Sequence, residues 1–287
     1  MTVEAPQRVG LIGWPVEHSL SPAMHNAAFR ALGLGWRYDL LPVPPGHLET
    51  AMAGLSAGGF RGANVTVPHK STVMTYLDRI DDAAQSIGAV NTVSLQGRRW
   101  IGHNTDAAGF VHALRAGGLE PAGRQALLLG AGGAARAVAY ALAGARCTVV
   151  IHNRTARRAA ELVDDLRRLG LDAPVTWSPG ELALDELDLA RFDLLVNATA
   201  VGMWPNREDT AWPDELPMPA HWTVFDLVYN PLETRLLRQA RRAGAKTIDG
   251  LGMLVWQGAL AFELWTGQKP PLELMRAAAL QTLGSRY

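Results

Sequence analysis

The chain has 287 residues, enough for two domains and a sizeable buried core. Lys+Arg and Asp+Glu total 27 each, so no global charge draws it to nucleic acid or to a membrane surface. No uninterrupted apolar stretch reaches membrane-spanning length, no basic–apolar leader pattern opens the chain, and the one cysteine, Cys147, cannot form an internal disulfide. A cytoplasmic protein acting on small molecules, without a bound metal, is expected. Cys147 sits in an apolar run and reads as a buried small hydrophobe.

In chain order, Arg8 to Ile12 reads as a strand ending at Gly13. A helix follows from Ser21-Pro22 to about Leu32, with Ser21 as N-cap and Pro22 in the first turn. Trp36 to Leu41 reads as a strand, 47–57 as a helix, and Gly62 to Val67 as a strand running into Pro68-His69-Lys70. Helical segments are expected near 72–77 and 81–87, and two strands (89–95 and 99–102) are joined at Gln96-Gly97. A helix over 105–117 leads into a second alternating series: strand 126–129, helix 133–143, strand 147–151, helix 155–169, strand 192–197, strand 222–227, helix 233–242 and strand 245–248. That alternation predicts a parallel sheet with helices on both faces. The stretch Trp204–Pro219 holds four prolines and reads as a surface loop. Helices from Gly252 to about Trp265 and from Pro271 to Leu283 are expected to pack back on the first domain.

The sharpest local signal is Gly130-Ala131-Gly132-Gly133-Ala134-Ala135, between an apolar strand and an alanine-rich helix. Strand, tight turn and helix N-terminus together can hold a pyrophosphate on backbone N–H groups. Read as G-x-G-x-x-A, the pattern has Ala135 in place of the motif's third glycine, and a plain strand-to-helix connection is the alternative. An NAD-preferring site usually carries Asp or Glu about 20 residues past such a turn, to bind the ribose 2′-OH. Here the next strand ends in His152-Asn153-Arg154-Thr155, with Arg157 and Arg158 close behind. Arginine there suits a 2′-phosphate, which points to NADP.

A second signal is Asn64-Val65-Thr66-Val67-Pro68-His69-Lys70. The chain has only three lysines, at 70, 246 and 269, against 24 arginines. Arginine would serve a solvated turn equally well, but it cannot release a proton near neutral pH. Lys70 is therefore a candidate acid–base or electrophilic group, with an ordinary solvated lysine as the alternative. Further clusters are Ser19-Leu20-Ser21, Val90-Asn91-Thr92 with Asn104-Thr105-Asp106 (where helix capping is the competing reading), Asn197-Ala198-Thr199, and Asp249-Gly250-Leu251-Gly252-Met253. On a helix, Met253 and Gln257 share a face, and a buried Gln257 amide would need partners.

These clusters, in this order and over nearly the whole chain, resemble the shikimate dehydrogenase family. The matching strings include Ser19-Leu20-Ser21-Pro22, Asn64 to Lys70, Gly130 to Ala134, Asn153-Arg154-Thr155, Asp226-Leu227-Val228-Tyr229-Asn230-Pro231 and Asp249 to Leu254. The resemblance implies an α/β protein of two domains. Residues 1–105 with 249–287 would form the substrate-binding, catalytic domain, and 106–248 a Rossmann-like, doubly wound NADP-binding domain. It implies NADPH-dependent, reversible reduction of 3-dehydroshikimate to shikimate, by a monomer or homodimer. Lys70 and Asp106 would be the catalytic pair. Ser19 and Ser21 would bind the substrate carboxylate, and Thr66, Asn91, Asp106, Tyr229 and Gln257 the ring hydroxyls. Gly130, Ala131, Gly132, Gly133 and Ala134 would hold the pyrophosphate. Asn153, Arg154, Thr155 and Arg158 would take the adenosine end, and Thr199, Gly250 and Met253 would border the nicotinamide. The family's usual serine after Asn-Ala-Thr is Ala200 here, which removes one hydroxyl. Two alternatives stand beside this reading. A quinate or dual quinate/shikimate enzyme is disfavoured by Arg154, and a non-catalytic NADP-binding sensor is disfavoured by the presence of both Lys70 and Asp106.

Overall fold

The computed structural model describes residues 6–171, 174–177 and 184–285. Internal contacts divide the chain into two compact units, one reaching Thr105 and resuming at Val255, the other running from Asp106 to Leu254.

The first unit contains β1 (Gln7–Gly13), α1 (Ser21–Ala31), β2 (Trp36–Pro42), α2 (Leu48–Ala57), β3 (Phe60–Val65), β4 (Arg79–Ile80), α3 (Asp82–Ile87), β5 (Thr92–Gln96) and β6 (Arg99–His103). Its six-stranded sheet has the order β2-β1-β3-β5-β6-β4. β1 lies parallel to β2 and β3, and β5 runs antiparallel to β3 and β6. Local chemistry sets the ends: the Asp81 carboxylate accepts the Ala84 N–H at 2.7 Å to start α3, and Gly88, at φ 71°, closes it in the left-handed region. One face buries Ile12, Val65, Val73, Val93 and Trp100. Elsewhere in this unit, Phe29 and Phe262 stack at 5.1 Å, and full burial of each such ring contributes about 2 kcal/mol.

The second unit contains α4 (Asp106–Ala116), β7 (Gln125–Leu129), α5 (Gly133–Gly144), β8 (Thr148–His152), α6 (Ala156–Arg167), β9 (Val175–Trp177), β10 (Leu194–Asn197), β11 (Thr223–Asp226), α7 (Arg235–Arg242) and β12 (Lys246–Ile248). All six strands are parallel, in the order β12-β11-β10-β7-β8-β9. The order reverses between β7 and β10, the arrangement of a doubly wound dinucleotide-binding sheet, and ligands of such sheets lie beyond the carboxyl ends of the strands at that reversal. Two helices complete the chain, α8 (Gly250–Thr266) and α9 (Leu272–Gly284). α9 packs on α1, and the Trp265 indole at the end of α8 donates to the Val93 carbonyl at 3.0 Å. A Cβ at Gly62 would meet that indole nitrogen at 2.2 Å, so only glycine lets α8 approach the sheet there.

The structure corrects several expectations. Ser21 is the first helical residue rather than the N-cap, and its N–H is taken by Ser19 Oγ at 3.2 Å. β3 stops at Val65: the Thr66 N–H still pairs with the Ile12 carbonyl (2.8 Å), but the Thr66 carbonyl turns to accept the His69 N–H (2.9 Å), and 66–69 form a turn. The segment near 72–77 is a 3-10 turn, Thr72–Tyr76, rather than an α-helix. β4 and β9, of two and three residues, were not expected from the sequence. α8 begins at Gly250 rather than at Gly252, and the division between the two compact units falls within that helix, between Leu254 and Val255. The Trp204–Pro219 stretch is irregular as expected, but it is not all surface: Trp212 is fully buried edge-on against Trp222 at 5.3 Å.

Candidate active site

In the first unit, backbone bonds at the ends of β1, β3 and β5 gather the expected polar residues. The Trp14 N–H donates to Val67 O (3.0 Å), bringing the loop that carries Ser19 beside Thr66. Gly13 permits this approach, since a Cβ there would lie 2.3 Å from Thr66 Cγ2 and 2.8 Å from Val16 Cγ1. The Lys70 carbonyl accepts the Val90 N–H at 2.8 Å, which sets Lys70 next to Asn91.

Asn91 is the centre of a buried amide–hydroxyl cluster. Its Oδ1 accepts the Thr105 N–H at 2.7 Å, and its Nδ2 donates to Thr105 Oγ1 at 2.9 Å and to Gln257 Oε1 at 3.5 Å. Asn64 continues the cluster, donating to Thr92 Oγ1 (3.0 Å) and accepting the Tyr38 hydroxyl (2.8 Å). The buried Gln257 amide thus has a partner, as its place on an apolar helix required. Asn104 Nδ2 donates to Ala89 O at 2.8 Å, so the side chains of Asn104 and Thr105 bind the 89–91 segment. Asp106 follows Thr105 by one peptide bond and opens α4 as a buried carboxylate.

Beside this cluster, the His103 ring contacts Asp81 Oδ2 at 2.8 Å through Nδ1 and Ser94 Oγ at 2.9 Å through Nε2. The connectivity is that of a hydrolase triad, but Ser94 is buried, so its hydroxyl is no accessible nucleophile. Burial opposes ionisation of Asp81, but the hydrogen bond and charge of His103 outweigh it and hold its carboxyl below the usual range.

In the second unit, the Gly130 N–H donates to His152 O at 2.8 Å, and Gly130 takes φ 111°, a conformation suited to glycine. Gly132 is the N-cap of α5 and offers no side chain to the first N–H groups of that helix. A Cβ at Gly132 would meet nothing within 4 Å, so the space in front of the turn is open. This is the arrangement an anion-binding helix start requires, and it fits a pyrophosphate. At the end of β8, Asn153 Nδ2 donates to Thr155 O at 2.9 Å, while Arg154, Thr155 and Arg158 are exposed. Arg157 is paired along its helix with Glu161 at 2.7 Å, leaving Arg154 and Arg158 as the better-placed cations. No Asp or Glu stands at this strand end, where an NAD-preferring site usually carries one.

Thr199 lies against the glycine turn: a Cβ at Gly130 would be 3.1 Å from Thr199 Cγ2. Gly250 donates to Val228 O at 3.3 Å, and a Cβ there would be 2.2 Å from Leu227 O, so α8 starts on the backbone just before Tyr229. Tyr229 is half-buried, and Met253 is buried in this unit. Two residues given no role in the sequence reading stand out. Asn197 and Asp226 face each other in register at the ends of β10 and β11, hydrogen-bonded at 2.9 Å. Both stood in motifs singled out in the sequence, Asn197-Ala198-Thr199 and Asp226 to Pro231, but their pairing shows only in the strand register. Cys147 is buried as expected; burial, aided by Asp193, pushes its thiol up to about 12, which keeps it unreactive.

The chain is similar to known proteins over most of its length. Family models match over residues 11–93 (shikimate dehydrogenase substrate binding domain), 114–201 (shikimate/quinate 5-dehydrogenase) and 250–280 (shikimate 5′-dehydrogenase C-terminal domain). A curated relative from Moorella thermoacetica, a shikimate dehydrogenase (NADP(+)), is 51% identical over 279 residues, covering 96% of this chain and 94% of its own. The crystal structure of shikimate 5-dehydrogenase from Thermus thermophilus, in complex with NADP(H) and shikimate, aligns with a TM-score of 0.86 at 43% identity, over 96% of this chain and 99% of that one. A quinate dehydrogenase from Corynebacterium glutamicum in complex with NAD aligns with a TM-score of 0.87 at 33% identity, over 96% and 99%.

Proposed function

The chain belongs to the shikimate dehydrogenase family, and we propose that it catalyses the NADPH-dependent, reversible reduction of 3-dehydroshikimate to shikimate. In this reading residues 1–105 with 249–287 bind and turn over the substrate, and 106–248 bind the dinucleotide. The observation that carries it is the buried cluster of Asn91, Thr105 and Gln257 beside Lys70: groups suited to a hydroxylated ring, next to the one lysine among the site residues. The preference for a 2′-phosphorylated dinucleotide is supported by exposed Arg154 and Arg158, where an acid would favour NAD.

When bound, NADPH supplies the hydride. Ser19 and Ser21 hold the substrate carboxylate, and Thr66, Asn91, Tyr229 and Gln257 take ring hydroxyls. Lys70 Nζ donates a hydrogen bond to the carbonyl oxygen as negative charge grows there, and the proton that completes the hydroxyl comes from that ammonium or from water; one such preorganised donor is typically worth about 3 kcal/mol of barrier. The Asp106 carboxylate accepts a ring hydroxyl, fixing the carbonyl relative to that donor. The N–H groups of 130–134 hold the pyrophosphate, while Asn153, Arg154, Thr155 and Arg158 hold the phosphorylated ribose. Thr199, Gly250 and Met253 border the nicotinamide. A monomer or homodimer in the cytoplasm fits the single buried cysteine.

The test is to mix purified protein with NADPH and 3-dehydroshikimate and follow the loss of NADPH absorbance, with quinate plus NADP in a parallel arm. Turnover of 3-dehydroshikimate well above that of quinate is expected. Turnover of quinate alone would assign the quinate activity instead, and no turnover in either arm would leave the fold without this chemistry.

A further inference from the structure

Asp226 is fully buried at the end of β11, and among the described residues no cation pairs with it. It accepts three donors: Asn197 Nδ2 at 2.9 Å, the Val228 N–H at 3.1 Å and Thr234 Oγ1 at 2.6 Å. Desolvation outweighs those bonds and pushes its carboxyl up to about 6. A buried, unpaired carboxylate is costly, so its retention calls for a task that an apolar residue could not perform.

The task is visible in the direction of the hydrogen bonds. A carboxylate only accepts, so the Asn197 amide must turn its NH2 group toward Asp226 and its carbonyl away. That carbonyl then accepts both the Thr199 N–H (3.1 Å) and Thr199 Oγ1 (2.7 Å). With its proton committed to Asn197, Thr199 Oγ1 accepts the Val201 N–H at 3.1 Å. The chain of bonds ends at the Thr199 methyl, which packs where a Gly130 side chain would stand. A second branch holds the Asp226–Val228 backbone, whose far end receives the Gly250 N–H.

We propose that Asp226 is a positioning residue for the dinucleotide site, orienting Asn197 so that Thr199 is held against the Gly130 turn. This rests on the reading that the second unit binds NADPH. The hydrogen bonds of Asp226 run to Asn197, Val228 and Thr234, and it acts on the glycine turn through Asn197.

The experiment compares Asp226→Leu, Asp226→Asn and Asn197→Ala with wild type. It measures NADPH dissociation by fluorescence titration, KM for 3-dehydroshikimate, and cooperative thermal unfolding. Asp226→Leu and Asn197→Ala should weaken NADPH about tenfold, the effect of unsatisfying a buried hydrogen-bond group, while KM for 3-dehydroshikimate moves less than about threefold. Asp226→Asn can still present a carbonyl to Asn197 and should keep NADPH affinity within about threefold of wild type. Wild-type NADPH affinity in a cooperatively folded Asp226→Leu protein would overturn the proposal, as would parallel losses of both ligands. Should Asp226→Leu fail to fold, Asn197→Ala decides on the same criteria. Wild-type protein that binds no NADPH would overturn the functional reading and this proposal with it, whereas unchanged variants of a binding wild type overturn this proposal alone.

Discussion

His25 offers a perturbation whose size follows from its surroundings. It is completely buried on α1, stacked on Tyr38 at 4.5 Å and 5° and ringed by Phe29, Phe262 and Trp265. Among the described residues, neither ring nitrogen has a hydrogen-bond partner. Desolvation lowers its pKa from 6.5 to about 3, so the native ring stays neutral where the unfolded chain takes up a proton. The stability His25 contributes is therefore present above pH 6.5 and lost as pH falls toward 3. At about pH 4.5 the unfolded form has gained roughly two pH units of proton binding over the native form, or about 3 kcal/mol. At about pH 7.5 the term is near zero. His25→Leu removes the titration while keeping an apolar side chain of similar size. Lost ring stacking will cost the variant some stability, but equally at both pH values. The assay is urea unfolding of both proteins at both pH values, taking the change in their stability difference. A shift of about 3 kcal/mol in favour of the variant on acidification is expected. A pH-independent difference would refute the reasoning and show that the native ring takes up its proton as readily as the unfolded one.

Asp226 titrates with the opposite sign: its native carboxyl holds a proton between pH 3.8 and about 6 that the unfolded chain has released, so its contribution to stability is lost as pH rises through that window. Relative to wild type, Asp226→Asn should gain about 2 kcal/mol in urea unfolding between about pH 4 and pH 7, and a flat difference would contradict the burial argument. Arg154→Ala should weaken NADPH by about tenfold or more while leaving NADH nearly unchanged, since removing a charge-assisted hydrogen bond costs only the ligand that accepts it. Equal losses in fluorescence titrations of the two dinucleotides would show that Arg154 does not read the 2′-phosphate.

What the sequence made legible was local. The Gly130 turn, its strand and its helix are contiguous, and the arginine that replaces an acid lies one strand further on. The Gln96-Gly97 connection and the apolar strands of the second unit each announce themselves within a few residues. What stayed hidden depends on partners distant in sequence. β4 and β9 are too short to show a period and exist because β6 and β8 offer edges to pair with. The end of β3 was hidden too: Thr66 fits an alternating strand, but its carbonyl accepts the His69 N–H and turns the chain. Ser21 looked like a cap until Ser19 was found to do that work on its N–H. Trp212 lies in a proline-rich stretch, and only Trp222 shows why it is buried. In the site, Lys70 and Asn91 were readable as residue types, but their adjacency comes from the Lys70–Val90 backbone bond. Asn197 and Asp226 were the hardest case, because their meaning lies in strand register.

The central claim is that Lys70 supports the charge that forms on a ring oxygen during reduction. Steady-state kinetics of Lys70→Ala against wild type, with NADPH and 3-dehydroshikimate, tests it most directly. The account predicts kcat lower by about a hundredfold to ten-thousandfold with KM within a few-fold, the signature of a group that acts in the transition state. Turnover close to wild type would contradict it.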